Sequence, residues 1–93
     1  MLRLSDKEIE TINKTVFEFF GESKIYIFGS RIREKKGGDI DIFVVPKNRN
    51  ELFKKKIKTA VKLERLLYKP IDIVVHYNFD RDIEKEALKG IKI

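Results

Sequence analysis

Apolar residues fall at helical spacing from the start of the chain. Ile9, Ile12, Val16, Phe19 and Phe20 lie three or four positions apart. Ser5 followed by Glu8 forms a capping-box pattern, and Gly21 is a natural stop, so a helix is predicted over about residues 5–20. The pattern then becomes nearly continuous. Residues 24–28, KIYIF, are β-branched and aromatic and predict a strand ending at Gly29-Ser30. The polar stretch that follows, SRIREKKGG, predicts a short helix and a Gly37-Gly38 turn, and residues 39–45, DIDIFVV, a second strand closed by Pro46. From about Asn48 to Tyr68 a long amphipathic helix is expected to turn Phe53, Ile57, Ala60, Val61, Leu63 and Leu67 inward. Its other side carries Lys54, Lys55, Lys58, Lys62 and Arg65. Pro70 opens a third strand, IDIVVH; Asp80 is expected to cap a last helix to about Lys89, with Gly90 releasing an extended IKI.

The order α-β-α-β-α-β-α implies an α/β (α+β) fold: one domain over residues 1–93, with a small mixed β-sheet covered by helices mainly on one face. Charged residues make up 39% of the chain, above the ~25% usual for globular proteins. Seven Phe and a 42% hydrophobic fraction still argue for a packed core over disorder. The net charge of +6 favours anionic partners. With no Cys and one His, a disulfide framework, a thiol nucleophile and a structural zinc site are excluded. No apolar run approaches the ~20 residues of a membrane span, and the N-terminus is too polar for a signal peptide. A soluble, cytoplasmic domain is the expectation.

Aspartate is depleted in strands, yet Asp39, Asp41 and Asp72 stand within GDIDIF and PIDIVV. Side chains alternate along a strand, so Asp39 and Asp41 share a face opposite Ile40 and Ile42, and Asp72 lies between Ile71 and Ile73 in the same way. If the two strands are neighbours, three carboxylates converge. Such a cluster repels itself and raises its own pKa values unless a cation is bound. All-oxygen ligation of this kind suits Mg²⁺, with Mn²⁺ as the alternative. The simpler reading, aspartates that merely face solvent, weakens once all three are considered together.

Gly29-Ser30 ends one strand and opens a polar turn, which would present backbone N–H groups and a hydroxyl to a phosphate. It has neither P-loop nor Rossmann spacing. In order, strand, Gly-Ser, D-x-D strand and a later strand with one more Asp form a specific constellation. Through GSRIREKKGGDIDIFV (29–44) and IDIVV (71–75), the chain resembles the nucleotidyltransferase superfamily of DNA polymerase beta. Within it the chain is similar to the minimal nucleotidyltransferases (MNT), antitoxins of the MntA type in HEPN/MNT toxin–antitoxin pairs. Glu34 stands where a Gly is frequent in that family, and Gly38 where a Ser is frequent.

The resemblance implies transfer of a nucleotide, AMP from ATP, to an acceptor hydroxyl. Gly29 and Ser30 would hold the β- and γ-phosphates, and Arg31 and Arg33 would neutralise phosphate charge. Asp39, Asp41 and Asp72 would be catalytic and would bind two Mg²⁺ ions. The implied partner is a HEPN-domain toxin carrying the acceptor, since so short a chain leaves little room for an acceptor-binding domain. A dimer or hetero-oligomer fits that view. The rivals are a catalytically idle antitoxin acting by occlusion and a small basic RNA-binding protein. Nucleic acid is less favoured, because the basic helix is not expected to interleave exposed aromatics. His76 is read as structural, and Tyr26, Phe28 and Phe43 as core.

Overall fold

A computed structural model of the chain describes residues 4–29 and 39–93. The expected short helix and Gly37-Gly38 turn lie outside the described residues. Helix α1 (Asp6–Phe20) opens with the anticipated capping box: the Ser5 hydroxyl accepts from the Glu8 N–H, and the Glu8 carboxylate from the Ser5 N–H. Gly21, at φ 74°, closes it. Then come β1 (Ser23–Phe28), β2 (Ile40–Pro46), α2 (Leu52–Leu67), β3 (Ile71–Val75), α3 (Asp82–Leu88) and β4 (Ile91–Lys92).

The strands form one mixed sheet in the order β3-β2-β1-β4. Both β2 and β4 run antiparallel to β1, whereas β2 and β3 run parallel, joined by α2. The terminal IKI is therefore a sheet edge. Strand alternation divides the apolar residues between two faces. Ile25, Ile27, Ile40, Ile42, Val44, Ile71 and Ile73 meet Ile12, Val16, Phe20 and Leu63 in the main core under α1 and α2. Phe28 and Phe43 turn the other way and pack on Ala87 of α3, with Tyr26 beside them. Among the described residues, coverage is thus two helices on one face and one short helix on the other, in line with helices mainly on one face.

Helix α2 departs from expectation in phase. It begins at Leu52, after a turn in which the Asn48 side chain accepts from the Asn50 N–H. Leu52, Ala60, Leu63 and Leu67 face the core as required, and Thr59 is fully buried with them. Thr59 is tolerated because its hydroxyl donates back to the Lys55 carbonyl, leaving no orphaned polar group. Phe53, Ile57 and Val61, expected inside, are exposed instead, Phe53 at 74%. The apolar stripe is wider than the arc that one narrow sheet and α1 can cover, so its outer edge stays outside.

Ion pairs of Lys62 with Glu18 (2.6 Å) and Lys69 with Glu8 (2.8 Å) fasten α2 and its exit to α1. Helix α3 also differs in its start. Arg81, not Asp80, holds the cap position and makes no side-chain cap bond there. Asn78 turns the preceding loop by accepting from the Asp80 N–H. No helix among the described residues is long and apolar enough to cross a membrane.

Candidate active site

Pairing of the central strands sets three positions in one row across the sheet. Phe28 of β1 stands opposite Asp41 of β2, and Asp41 opposite Asp72 of β3. Neighbouring strands lie about 4.8 Å apart, so the two aspartates share the same face as direct cross-strand neighbours. Asp39 lies just before β2 and is exposed, as is Asp72, while Asp41 is half-buried. Ile40 and Ile42, on the opposite face, are fully buried and lock this alternation in place.

Electrostatically the row is frustrated. Burial, then the Asp72 charge, then the Asp39 charge push the Asp41 carboxyl above its ordinary range. Among the described residues no Lys, Arg or His forms an ion pair with any of the three. Gly29 ends β1 at φ 77°, a left-handed conformation that glycine tolerates best. A Cβ at Gly29 would overlap the Asp41 carboxylate. The end of β1 and the Asp41 side chain therefore fit only because residue 29 has no side chain. Ser30, Arg31 and Arg33 lie outside the described residues.

A hard divalent cation suits this donor set, which is all carboxylate oxygen, like-charged and, among the described residues, without a cationic partner. Among the described residues no three His, Cys, Asp or Glu side chains stand close enough to hold a metal ion by themselves. The row is an acidic platform, with Asp41 at its centre.

A second acidic feature was not anticipated from the sequence. Glu84, in the first turn of α3, is fully buried. Its carboxylate accepts from the N–H groups of Tyr77 (2.7 Å) and Asn78 (2.9 Å) and from Arg81 (3.0 Å), and it bonds His76 Nδ1 (2.7 Å). Burial works to raise its pKa, yet the His76 bond and the two backbone donors outweigh it and hold the carboxyl below its ordinary value. His76, stacked on Phe79 at 3.8 Å, is thereby structural, as expected. The only hint in the chain is that Glu84 shares a helix face with Ala87, three residues on.

The basic helix also departs from expectation. Phe53, in the first turn of α2 next to Lys54, is largely exposed, so one aromatic ring does stand beside its cations.

No curated protein matches the chain. The model of the family described as polymerase beta, nucleotidyltransferase matches residues 10–93, taking in most of α1 and every later element of the sheet and its helices. The Gly29 junction, the D-x-D strand and the Asp72 strand all fall within that span, and the chain belongs to this nucleotidyltransferase family.

Proposed function

We propose that this chain is an active, metal-dependent nucleotidyltransferase that moves AMP from ATP to an acceptor hydroxyl. Membership of the family supports the nucleotidyltransferase class, whose domains generally use divalent metals. The observation that supports activity is the acidic row, unpaired with any cation among the described residues: Asp41 set against Asp72, in space that a Cβ at residue 29 would fill. A protein that only bound its partner would be more stable with that charge removed.

Asp39 and Asp41 would hold two Mg²⁺ ions and Asp72 would complete the acceptor-side position. Bound there, the ions supply charge neutralisation and a lowered pKa for the attacking hydroxyl. Gly29, with Ser30, Arg31 and Arg33, would grip the β- and γ-phosphates and fix the α-phosphorus in line. The acceptor oxygen forms a bond to the α-phosphorus, the bond from that phosphorus to the bridging oxygen breaks, and pyrophosphate leaves with its electron pair. The hydroxyl proton passes to water beside Asp72, which is exposed.

The similarity to minimal nucleotidyltransferases supports a HEPN-domain toxin as partner and a tyrosine hydroxyl on it as acceptor, with this chain the antitoxin. The test is incubation with α-labelled ATP, Mg²⁺ and the product of the adjacent gene. Label is expected on the partner with wild type and absent with Asp39→Asn/Asp41→Asn. Neutralisation that persists in the double variant, with no label in either case, would replace catalysis by occlusion.

A further inference from the structure

The outer surface of α2, turned away from the sheet, carries a groove of about 560 Å³. Its form follows from helical spacing. Ile57, Val61 and Arg65 recur every four residues and make one ridge, and Lys58, Lys62 and Leu66 make a second beside it. Phe19 of α1 borders the groove. Ile57, Val61 and Leu66 are each about half exposed. Apolar patches rimmed by charge mark interaction surfaces. Lys62 is already committed: it bonds Glu18 at 2.6 Å and lies over the Phe19 ring, 5.9 Å from its centre. Lys58 and Arg65, with Lys54 one turn earlier, form no ion pair among the described residues. These three cations fall within one narrow arc of the helix, and Lys58 and Arg65 stand two turns apart, about 10 Å.

We propose that this groove docks a helix of a partner protein whose apolar stripe is flanked by carboxylates. The space between two such ridges accepts the ridge of another helix. Apolar side chains alone would cover Ile57, Val61 and Leu66 but strip water from Lys58 and Arg65 without pairing them. Carboxylates two turns apart on the incoming helix meet both cations. A nucleic-acid backbone would pair the cations and leave the aliphatic side chains wet, and the Phe19 ring is half-buried beneath Lys62 and closed to stacking. A second copy of this chain would bring Lys58 and Arg65 against their own counterparts. A lipid surface has no ridge to fill a groove. The groove lies across the sheet from the Asp41 row, because α2 packs through Leu63 on the face of Ile40 and Ile42. A helix seated there leaves the row open, so the inference rests on neither the activity nor the acceptor proposed above.

The test uses two labelled synthetic helices of about three heptads, with Leu along the apolar stripe and either Glu or Lys flanking it. Binding to the full chain is read by fluorescence anisotropy. The Glu-flanked helix is expected to bind, more weakly as salt rises, and the Lys-flanked helix about tenfold less tightly or worse. Ile57→Ala/Val61→Ala should weaken binding about tenfold or more. Its urea midpoint should stay nearly unchanged, because both side chains are already about half exposed. Lys58→Glu/Arg65→Glu should reverse the preference between the two helices. Equal binding of both helices, no binding of the Glu-flanked one, or binding indifferent to Ile57 and Val61 overturns the proposal. So does a wild-type dimer in sedimentation that Ile57→Ala/Val61→Ala disperses, which assigns the face to a second copy. Binding of a short oligonucleotide or of phosphatidylserine vesicles that the same variant abolishes, where the Glu-flanked helix does not bind, overturns it as well.

Discussion

Glu84 and Asp41 are both carboxylates withdrawn from water, and the protein treats them in opposite ways. Glu84 is wholly enclosed, yet its partners pair it fully: two backbone N–H groups, Arg81 and His76. Asp41 is only half-buried, yet it faces two further carboxylates and no cation among the described residues. The first carboxyl is pulled below its ordinary range and the second pushed above it. Depth of burial thus says less about a charge than the company it keeps. A buried carboxylate with all its bonds made fixes structure, here the seat of α3 against the end of β3. One left in conflict is a cost that a bound cation would relieve at neutral pH.

The largest expected effect tests the satisfied side of this contrast. Glu84→Ala would strand the Tyr77 and Asn78 N–H groups with Arg81 and His76, and should cost about 3–5 kcal/mol in urea denaturation. That is much of the stability of a small domain. A loss below about 1 kcal/mol would show that the hub is not structural. Next is Gly29→Ala, which places a Cβ at positive φ and into the Asp41 carboxylate. It should cost about 1–2 kcal/mol of stability. Labelled transfer should fall about 10²-fold, since the reacting groups are displaced.

Asp41→Asn should act with the opposite sign on the free protein, raising its midpoint slightly, by under about 1 kcal/mol, while abolishing transfer. A lowered midpoint would mean that the charge is compensated after all. The smallest effect is in pH. Glu84 and Glu8 are held below their ordinary values, Glu8 by the Lys69 and Ser5 bonds against the pull of burial. Each adds stability above its ordinary pKa, and that stability is lost as pH falls through the depressed folded value. For Asp41 the sign reverses: its charge weakens the fold above the raised folded value, and protonation removes that cost. Urea midpoints followed downward from pH 7 should rise slightly and then fall. Asp41→Asn should remove the rise, and Glu84→Gln should flatten the fall.

These two sites were not equally legible in the sequence. Asp41 and Asp72 interrupt runs of Ile and Val, so a period of two exposes them as anomalies and nearly fixes their shared face. Ser5, Glu8 and Gly21 mark α1 because capping is a local interaction. Glu84 is invisible because its partners at Tyr77 and Asn78 become neighbours only when the loop before α3 folds back. For α2, periodicity identifies an amphipathic helix but not how much of its apolar arc the rest of the protein covers. Phe53, Ile57 and Val61 therefore read as core, and stand outside.

The central claim is that the conflict at Asp41 is resolved by a divalent cation together with a nucleoside triphosphate. The most direct test is the thermal midpoint of wild type and Asp41→Asn with ATP, each with Mg²⁺ and with chelator. A ligand present at a hundred times its Kd stabilises by about 2.7 kcal/mol. The account predicts a rise of that order for wild type only when ATP and Mg²⁺ are both present, and none for Asp41→Asn. An equal rise in both proteins, or a rise in wild type that survives chelation, would contradict it.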